Sequence, residues 1–207
     1  MSGFFISFEG GEGAGKSTLL HRVYEELSSR LSVIKTRAPG GTPLGLEIRH
    51  LLLEEREHPP SPLAELFLFL ADRAQHIDEV ISPSLQRGQI VLCDRFSDST
   101  IAYQGFARGW GQKRITDLCL FATKEIKPHL TFYLDLDPKI GFERVKKTRE
   151  KDRMEEEELS FHIKIREAFL ILAKEEPNRF CVLDATQASE EVFSKAIQVI
   201  EERLETR

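Results

Sequence analysis

The 207-residue chain is predicted to fold as an α/β domain, a five-stranded parallel sheet with helices on both faces. Three observations predict it. Five short apolar runs alternate with longer segments of helical periodicity. Most of the runs are largely apolar rather than strictly alternating, Ile90–Cys93 most clearly, as suits strands buried on both faces. The junction between the first run and the first helix is a glycine-rich loop, Gly10–Gly15. Right-handed crossovers then leave few topologies, and the functional crevice belongs at the C-terminal ends of the strands.

The elements follow in order. Phe4–Phe8 reads as a buried strand and Thr18–Arg30 as a helix, with Leu19, Leu20, Val23 and Leu27 at helical spacing. Ser32–Arg37 is a second strand, ended by the breaker Pro39-Gly40-Gly41. Pro43–Glu54 and Pro62–Gln86 are helices that each open on a proline, whose missing N–H is not needed in a first turn. Gln89–Cys93 is the third strand, followed by helical stretches at Ser97–Gln104 and Lys113–Lys124. Leu130–Leu136 is the fourth strand, and Pro138 opens a helix that becomes highly charged by Lys146. Glu156–Glu175 is helical, Phe180–Leu183 is the fifth strand, and Ser189–Glu202 closes the chain with Ser189 as the expected N-cap.

Hydrophobic residues make up 41% and charged residues 30%, which with this length indicates a single domain spanning 1–207. No repeat or interdomain linker interrupts it, and Pro59-Pro60-Ser61-Pro62 reads as a loop between helices. A net charge of −5 provides no global basic field, so a nucleic-acid partner is not expected and any phosphate must be met by local groups. Cys93, Cys119 and Cys181 are odd in number and far apart. They suit buried free thiols in a reducing compartment better than a disulfide framework or zinc site. The N-terminus has no basic flank or long apolar run, and no stretch approaches the roughly 20 apolar residues of a membrane span. A cytoplasmic protein without a membrane partner is expected.

The strongest chemical signal is Gly10-Gly11-Glu12-Gly13-Ala14-Gly15-Lys16-Ser17, followed by Thr18. It fills the pattern G-x-x-x-x-G-K-[ST] between a predicted strand and a predicted helix, the P-loop of an NTPase fold. Glycines let successive N–H groups curl around phosphate oxygens, and the helix points its positive end at the same place. Lys16 can reach the β/γ-phosphates of ATP and the Ser17 hydroxyl can ligate Mg²⁺. A flexible glycine turn is the plain alternative, but the strand–loop–helix context disfavours it.

The second signal is Ile90-Val91-Leu92-Cys93-Asp94-Arg95, an apolar strand that delivers a carboxylate at its end. Beside a P-loop, Asp94 belongs to the magnesium shell, although alone it could equally cap the next helix. Arg95 would then face a phosphate. A GTPase would need a guanine-reading Asn/Thr-Lys-x-Asp, for which Thr123-Lys124-Glu125-Ile126 fails, and Asp-x-x-Gly after strand three, where Asp94-Arg95-Phe96-Ser97 stands. A motor or transporter would need more chain. A small kinase needs an acceptor site and a lid. Six basic residues lie between Arg144 and Arg153: Arg144, Lys146, Lys147, Arg149, Lys151 and Arg153. Most suit a solvated helix face. Arg149 and Arg153, between strands four and five, suit a short arginine lid at about residues 146–156 that closes over the phosphates.

These residues together resemble bacterial thymidylate kinases. The resemblance rests on Phe8–Thr18, on Thr36-Arg37-Ala38-Pro39-Gly40-Gly41-Thr42, and on Asp94-Arg95-Phe96-Ser97-Asp98-Ser99-Thr100-Ile101-Ala102-Tyr103-Gln104-Gly105. Asp135, Asp152-Arg153 and Asp184-Ala185-Thr186-Gln187 extend it over nearly the whole chain. It implies transfer of the γ-phosphoryl group of Mg·ATP to dTMP, and a homodimer. It further implies that Phe69 stacks on thymine and Arg73, one helical turn on, bonds a thymine carbonyl. Thr100 and Gln104 would read the base edge, and Tyr103 would crowd the 2′ position. Arg49 and Arg95 would hold the dTMP phosphate with help from Arg37, and Glu12 would meet the sugar 3′-OH. Ala185 and Thr186 would lie near adenine. One departure stands out: Ala38 occupies a position where the family often has Glu. A second is the lack of an arginine between Glu12 and Lys16, which leaves charge stabilisation to Lys16, Arg95 and the lid residues Arg149 and Arg153. The rivals are a kinase for another nucleotide or a deoxynucleoside, and a nucleotide-dependent switch.

Overall fold

A computed structural model describes residues 3–54, 56–146, 154 and 157–206. The sheet contains β1 (Phe4–Gly10), β2 (Val33–Arg37), β3 (Ile90–Asp94), β4 (Leu130–Asp135) and β5 (Phe180–Asp184), all five where the sequence predicts them. Its order is β2-β3-β1-β4-β5 and every pairing is parallel. The chain leaves β1 towards one edge and later crosses to the other, so a crevice opens beside the C-terminal end of β1, where ligands bind in such sheets.

The period-2 geometry of β1 divides the core. Phe4, Ile6 and Phe8 face α1 (Lys16–Ser28) and α9 (Ser189–Glu205), joining Leu20, Val23, Leu27, Ala196 and Ile200. Phe5 faces the other side, in a cluster with Val91, Cys93 and Phe96. The same side carries α8 (Leu159–Glu175), whose Ile165, Ala168 and Phe169 pack with Tyr133 of β4. Side chains this size each contribute about 1.5–3 kcal/mol on full burial. A polar seam crosses this second face: Ser7 Oγ and Thr131 Oγ1 lie 2.8 Å apart, and Arg179 donates to Asp98 at 2.6 and 2.8 Å.

Several boundaries differ from expectation. α1 starts at Lys16, not Thr18, because the left-handed Gly15 (φ 90°) turns the chain directly into the helix. The segment expected as one helix over 62–86 is α3 (Pro62–His76), a π-helical turn (Ile77–Ile81) and α4 (Ser82–Gln86). The stretch after β3 is likewise a short α5 (Ser97–Thr100) that widens into a π-helical Ile101–Ala107. α8 begins at Leu159 rather than at residue 156. Ser189 is the first residue of α9 and not its N-cap; that position is Ala188, with no side-chain hydrogen bond. Cys181 is half-buried, unlike Cys93 and Cys119, although all three are free thiols. The remaining helices are α2 (Pro43–Leu53), α6 (Gln112–Ala122) and α7 (Pro138–Val145).

Candidate active site

The loop after β1 is shaped by close packing. A Cβ at Gly13, where φ is 68°, would collide with the backbone of Gly141, and one at Gly141 would collide with the Glu12 carbonyl. The loop therefore lies directly on α7 with no side chain between them. Gly10, Gly11, Gly13, Ala14 and Gly15 wrap the start of α1, with Thr18 in its first turn. Lys16 Nζ donates to the Gly11 carbonyl at 2.7 Å. Burial lowers its pKa, as does Arg95; Glu12, Asp94 and Glu9 act the other way.

Phe8 and Asp94 are register partners on adjacent strands, so β3 delivers its carboxylate to the same rim. Ser17 Oγ donates to Asp94 Oδ2 at 2.6 Å. Asp94 does not cap the next helix: the residue before α5 is Phe96, with no side-chain cap. Among the described residues no group of three or more His, Cys, Asp or Glu could cage a metal. A single hydroxyl beside a single carboxylate is an oxygen-only set that suits Mg²⁺, which keeps most of its shell as water and substrate phosphate.

Arg95 sits at φ 65°, a left-handed conformation that costs a non-glycine residue about 1–2 kcal/mol. Its own N–H donates to the Phe8 carbonyl at 3.0 Å. Its guanidinium donates to the Gly10 carbonyl at 3.0 Å and Ser99 Oγ at 3.3 Å, and pairs with Glu12. Burial opposes its charge, but Tyr103, Glu12, Asp94 and Glu9 outweigh it and raise the pKa. Beneath lies Glu9, fully buried, accepting from the Phe96 N–H at 2.7 Å and Ser99 Oγ at 2.6 Å. Burial first, and Asp98 next, push its pKa from 4.5 to about 7.

These groups open into a cleft of about 230 Å³. Glu12, Lys16, Ser17, Arg37, Arg49, Phe69, Arg73, Asp94, Arg95, Thr100, Tyr103 and Gln104 all line it. The sequence reading singled out each of these twelve, and residues far apart in the chain converge here. Arg73 is buried, donates to Thr100 Oγ1 at 3.4 Å and lies 4.6 Å from the Phe96 ring centroid. Its Nε and Nη1 have no hydrogen-bond partner among the described residues. Phe69 is half-buried one turn earlier. Gln104 donates to Glu65 at 3.0 Å, which orients its amide, and Arg49 donates to the Pro39 carbonyl at 3.0 Å. Arg144 reaches from α7 to the carbonyls of Gly13 and Ala185, at 3.3 and 3.2 Å.

Arg149 and Arg153, and with them the body of the expected lid, lie outside the described residues. Ala38 is buried among Phe5, Ile77 and Val91 while also lining the cleft, so its methyl continues the apolar core where a carboxylate would need a partner. Pro39, Leu53, Ser99 and Met154 line the cleft as well and were not foreseen. Ser99 stood within a recognisable motif; Leu53 and Met154 carry no signal beyond apolarity.

The model of the family described as thymidylate kinase matches residues 8–196. The chain belongs to the thymidylate kinase family. A thymidylate kinase of Protochlamydia amoebophila is 48% identical over 97% of this chain and 93% of its own length. One of Desulfovibrio desulfuricans is 44% identical, covering 98% and 97%. The crystal structure of thymidylate kinase from Ehrlichia chaffeensis superimposes with a TM-score of 0.79 at 33% identity, over 97% of this chain and 99% of that one. Members of this family are phosphotransferases of the nucleoside monophosphate kinase type that use ATP as phosphoryl donor. The fold agrees with that membership throughout, from the P-loop to the parallel sheet.

Proposed function

We propose that this protein transfers the γ-phosphoryl group of ATP to the 5′-phosphate of dTMP, giving dTDP and ADP. An acceptor phosphate oxygen forms a bond to the γ-phosphorus as the bond to the β,γ-bridging oxygen breaks, and the electron pair leaves on ADP. The acceptor oxygen is already anionic at neutral pH, so no strong base is required. The protein's work is positioning and charge neutralisation.

One observation carries this reading. The cleft beside the P-loop has a half-buried ring at Phe69 and, at Arg73, two guanidinium nitrogens without a hydrogen-bond partner among the described residues, with Arg37, Arg49 and Arg95 lining it as well. That combination fits a planar base with a carbonyl edge attached to a phosphate. Thr100 and Gln104 read the rest of the edge, Tyr103 disfavours a 2′-hydroxyl, and Glu12 meets the sugar 3′-OH. Lys16, Arg95, Arg149 and Arg153 neutralise the phosphoryl group in transfer. Ser17 and Asp94 would hold Mg²⁺, which would supply charge screening for the phosphates.

A homodimer is part of the proposal. α2, α3 and α6 pack in series, α2 on α3 and α3 on α6, and leave Leu51, Phe67 and Phe121 at 40%, 56% and 85% exposure. Work in the cytoplasm is part of the same proposal; no described helix is long and apolar enough to cross a membrane. The test is turnover of dTMP, dUMP, TMP, dCMP and dGMP with Mg·ATP. A site that hydrogen-bonds its base leaves polar groups unpaired against the wrong one, so dTMP should lead dCMP and dGMP by orders of magnitude. Equal kcat/KM for dCMP and dTMP would sink the assignment.

A further inference from the structure

One stripe of α3 does two jobs. Phe69, Asp72, Arg73 and His76 follow the spacing i, i+3, i+4, i+7 and so share a face. Phe69 and Arg73 line the cleft. Asp72 and His76 instead grip the segment that follows β2. Asp72 is fully buried and its Oδ1 accepts the Gly40 N–H at 2.9 Å. The same oxygen lies so near Gly45 that an added Cβ there would come within 2.5 Å of it. His76 is also fully buried; its Nε2 lies 2.7 Å from Thr36 Oγ1, and a Cβ at Gly41 would collide with its ring.

The gripped segment carries Arg37 and supports Arg49 of α2, the groups assigned to the phosphate. Arg37 lies between the two attachment points Thr36 and Gly40, and the Pro39 carbonyl accepts from Arg49 at 3.0 Å. A Cβ at Gly40 would lie 3.0 Å from Arg49 Cδ, so the arginine stem rests on this glycine. The neighbouring atoms Asp72 Oδ2 and His76 Nδ1 have no hydrogen-bond partner among the described residues. A buried carboxylate and imidazole of this kind cost stability, and core packing alone would be better served by apolar side chains.

We infer that Asp72 and His76 are positioning residues that clamp the Thr36–Gly41 segment to α3, fixing Arg37 and Arg49 relative to the base-facing Phe69 and Arg73. The clamp sets the distance between the base end and the phosphate end of the acceptor site. It rests on the acceptor reading proposed above. Neither residue touches the reacting atoms; each acts through the backbone or side chain it holds.

The signature of a clamp is a loss confined to the phosphate end. Calorimetric titration of the full chain with dTMP and, separately, with thymidine reads the two ends apart. Asp72→Ala removes the acceptor for Gly40. It should weaken dTMP about ten- to a hundredfold, the scale on which small misplacements act, and leave thymidine affinity within about twofold. Asp72→Asn keeps an acceptor oxygen and should restore dTMP binding to near the parent value. Thr36→Val, nearly isosteric and independent of the Asp72 site, should show the same selective loss on a smaller scale if Asp72→Ala does not fold. Equal losses for both ligands, or unchanged dTMP affinity, in the folded variants would overturn the clamp. A parent protein that binds dTMP no more tightly than thymidine would overturn the phosphate assignment itself, on which the clamp depends.

Discussion

Replacing Arg73 with methionine separates the needs of the fold from those of the substrate. In the described structure the guanidinium is buried with a single hydrogen bond, to Thr100, while Nε and Nη1 have none. Each unsatisfied buried donor costs about 1–3 kcal/mol. Against that, Arg73→Met gives up a long hydrogen bond and a cation–π contact over Phe96, together about 1–3 kcal/mol. It also removes a positive neighbour from Asp72, whose carboxyl burial already pushes upward and which can accommodate the loss by taking a proton. Two such donors cost about 2–6 kcal/mol, so the balance runs from about 1 kcal/mol against the variant to about 5 kcal/mol in its favour. Catalysis moves the other way. A hydrogen bond between a charged donor and a thymine carbonyl is worth about 1.5–3 kcal/mol, or roughly a 10- to 150-fold loss in kcat/KM for dTMP. Thermal melting without ligand and steady-state kinetics on the same preparation give both numbers. A variant that melts well below the parent yet keeps its kcat/KM within threefold would show Arg73 to be a structural ion and refute the assignment.

Lys16→Ala should abolish turnover by well over a factor of about a hundred with the fold intact, since its bond to the Gly11 carbonyl is local to the loop; unimpaired turnover in a folded variant would remove the P-loop from the mechanism. If Arg153 serves the phosphoryl group in transfer as proposed, Arg153→Ala should lower kcat by roughly 10³ or more while dTMP affinity by calorimetry changes little. A kcat within a few-fold of the parent would return that stretch to a solvated helix face. Glu9→Gln should flatten the pH dependence of stability. The folded pKa, about 7, is raised above the ordinary 4.5, so the folded state binds more protons and loses stability as pH rises through that window, by on the order of 3 kcal/mol. Denaturant titrations from pH 4 to 8 check this, and a parent curve as flat as the variant's would contradict it.

What could be read from the sequence divides along a physical line. Strands such as Ile90–Cys93 are legible because both faces must be apolar, and the P-loop is legible because phosphate can be approached so closely only by glycine backbone. Phe69 and Arg73 were reached through resemblance, since a phenylalanine and an arginine on a helix say nothing alone. Glu9, Asp72 and His76 were not assigned roles, because each acts through a tertiary neighbour: Ser99 and the Phe96 amide, the Gly40 amide, and the Thr36 hydroxyl. The spacing Phe-x-x-Asp-Arg-x-x-His was visible, yet polar residues on a buried stripe acquire meaning only once their partners are known. The π-helical turns escaped for a related reason, as helical periodicity does not register one inserted residue.

The charge distribution shows how an acidic protein handles a polyanionic pair of substrates. The chain carries −5 overall, but the cleft is lined by Lys16, Arg37, Arg49, Arg73 and Arg95 against Glu12 and Asp94. Holding these cations together before substrate arrives requires opposing charge and strain. Glu12 pairs with Arg95, Glu9 lies beneath it, and Arg95 accepts a left-handed backbone to point inward. The left-handed backbone costs stability, whereas the Glu12 and Glu9 carboxylates favour the charged guanidinium and hold it in place. Ala38 fits the same logic. Its buried methyl packs on the apolar core and adds no negative charge to the cleft it lines. Pre-arranged charge of this kind needs little reorganisation when phosphoryl transfer begins, and it is this arrangement, more than any single contact, that the P-loop, β3 and the clamped segment after β2 combine to hold.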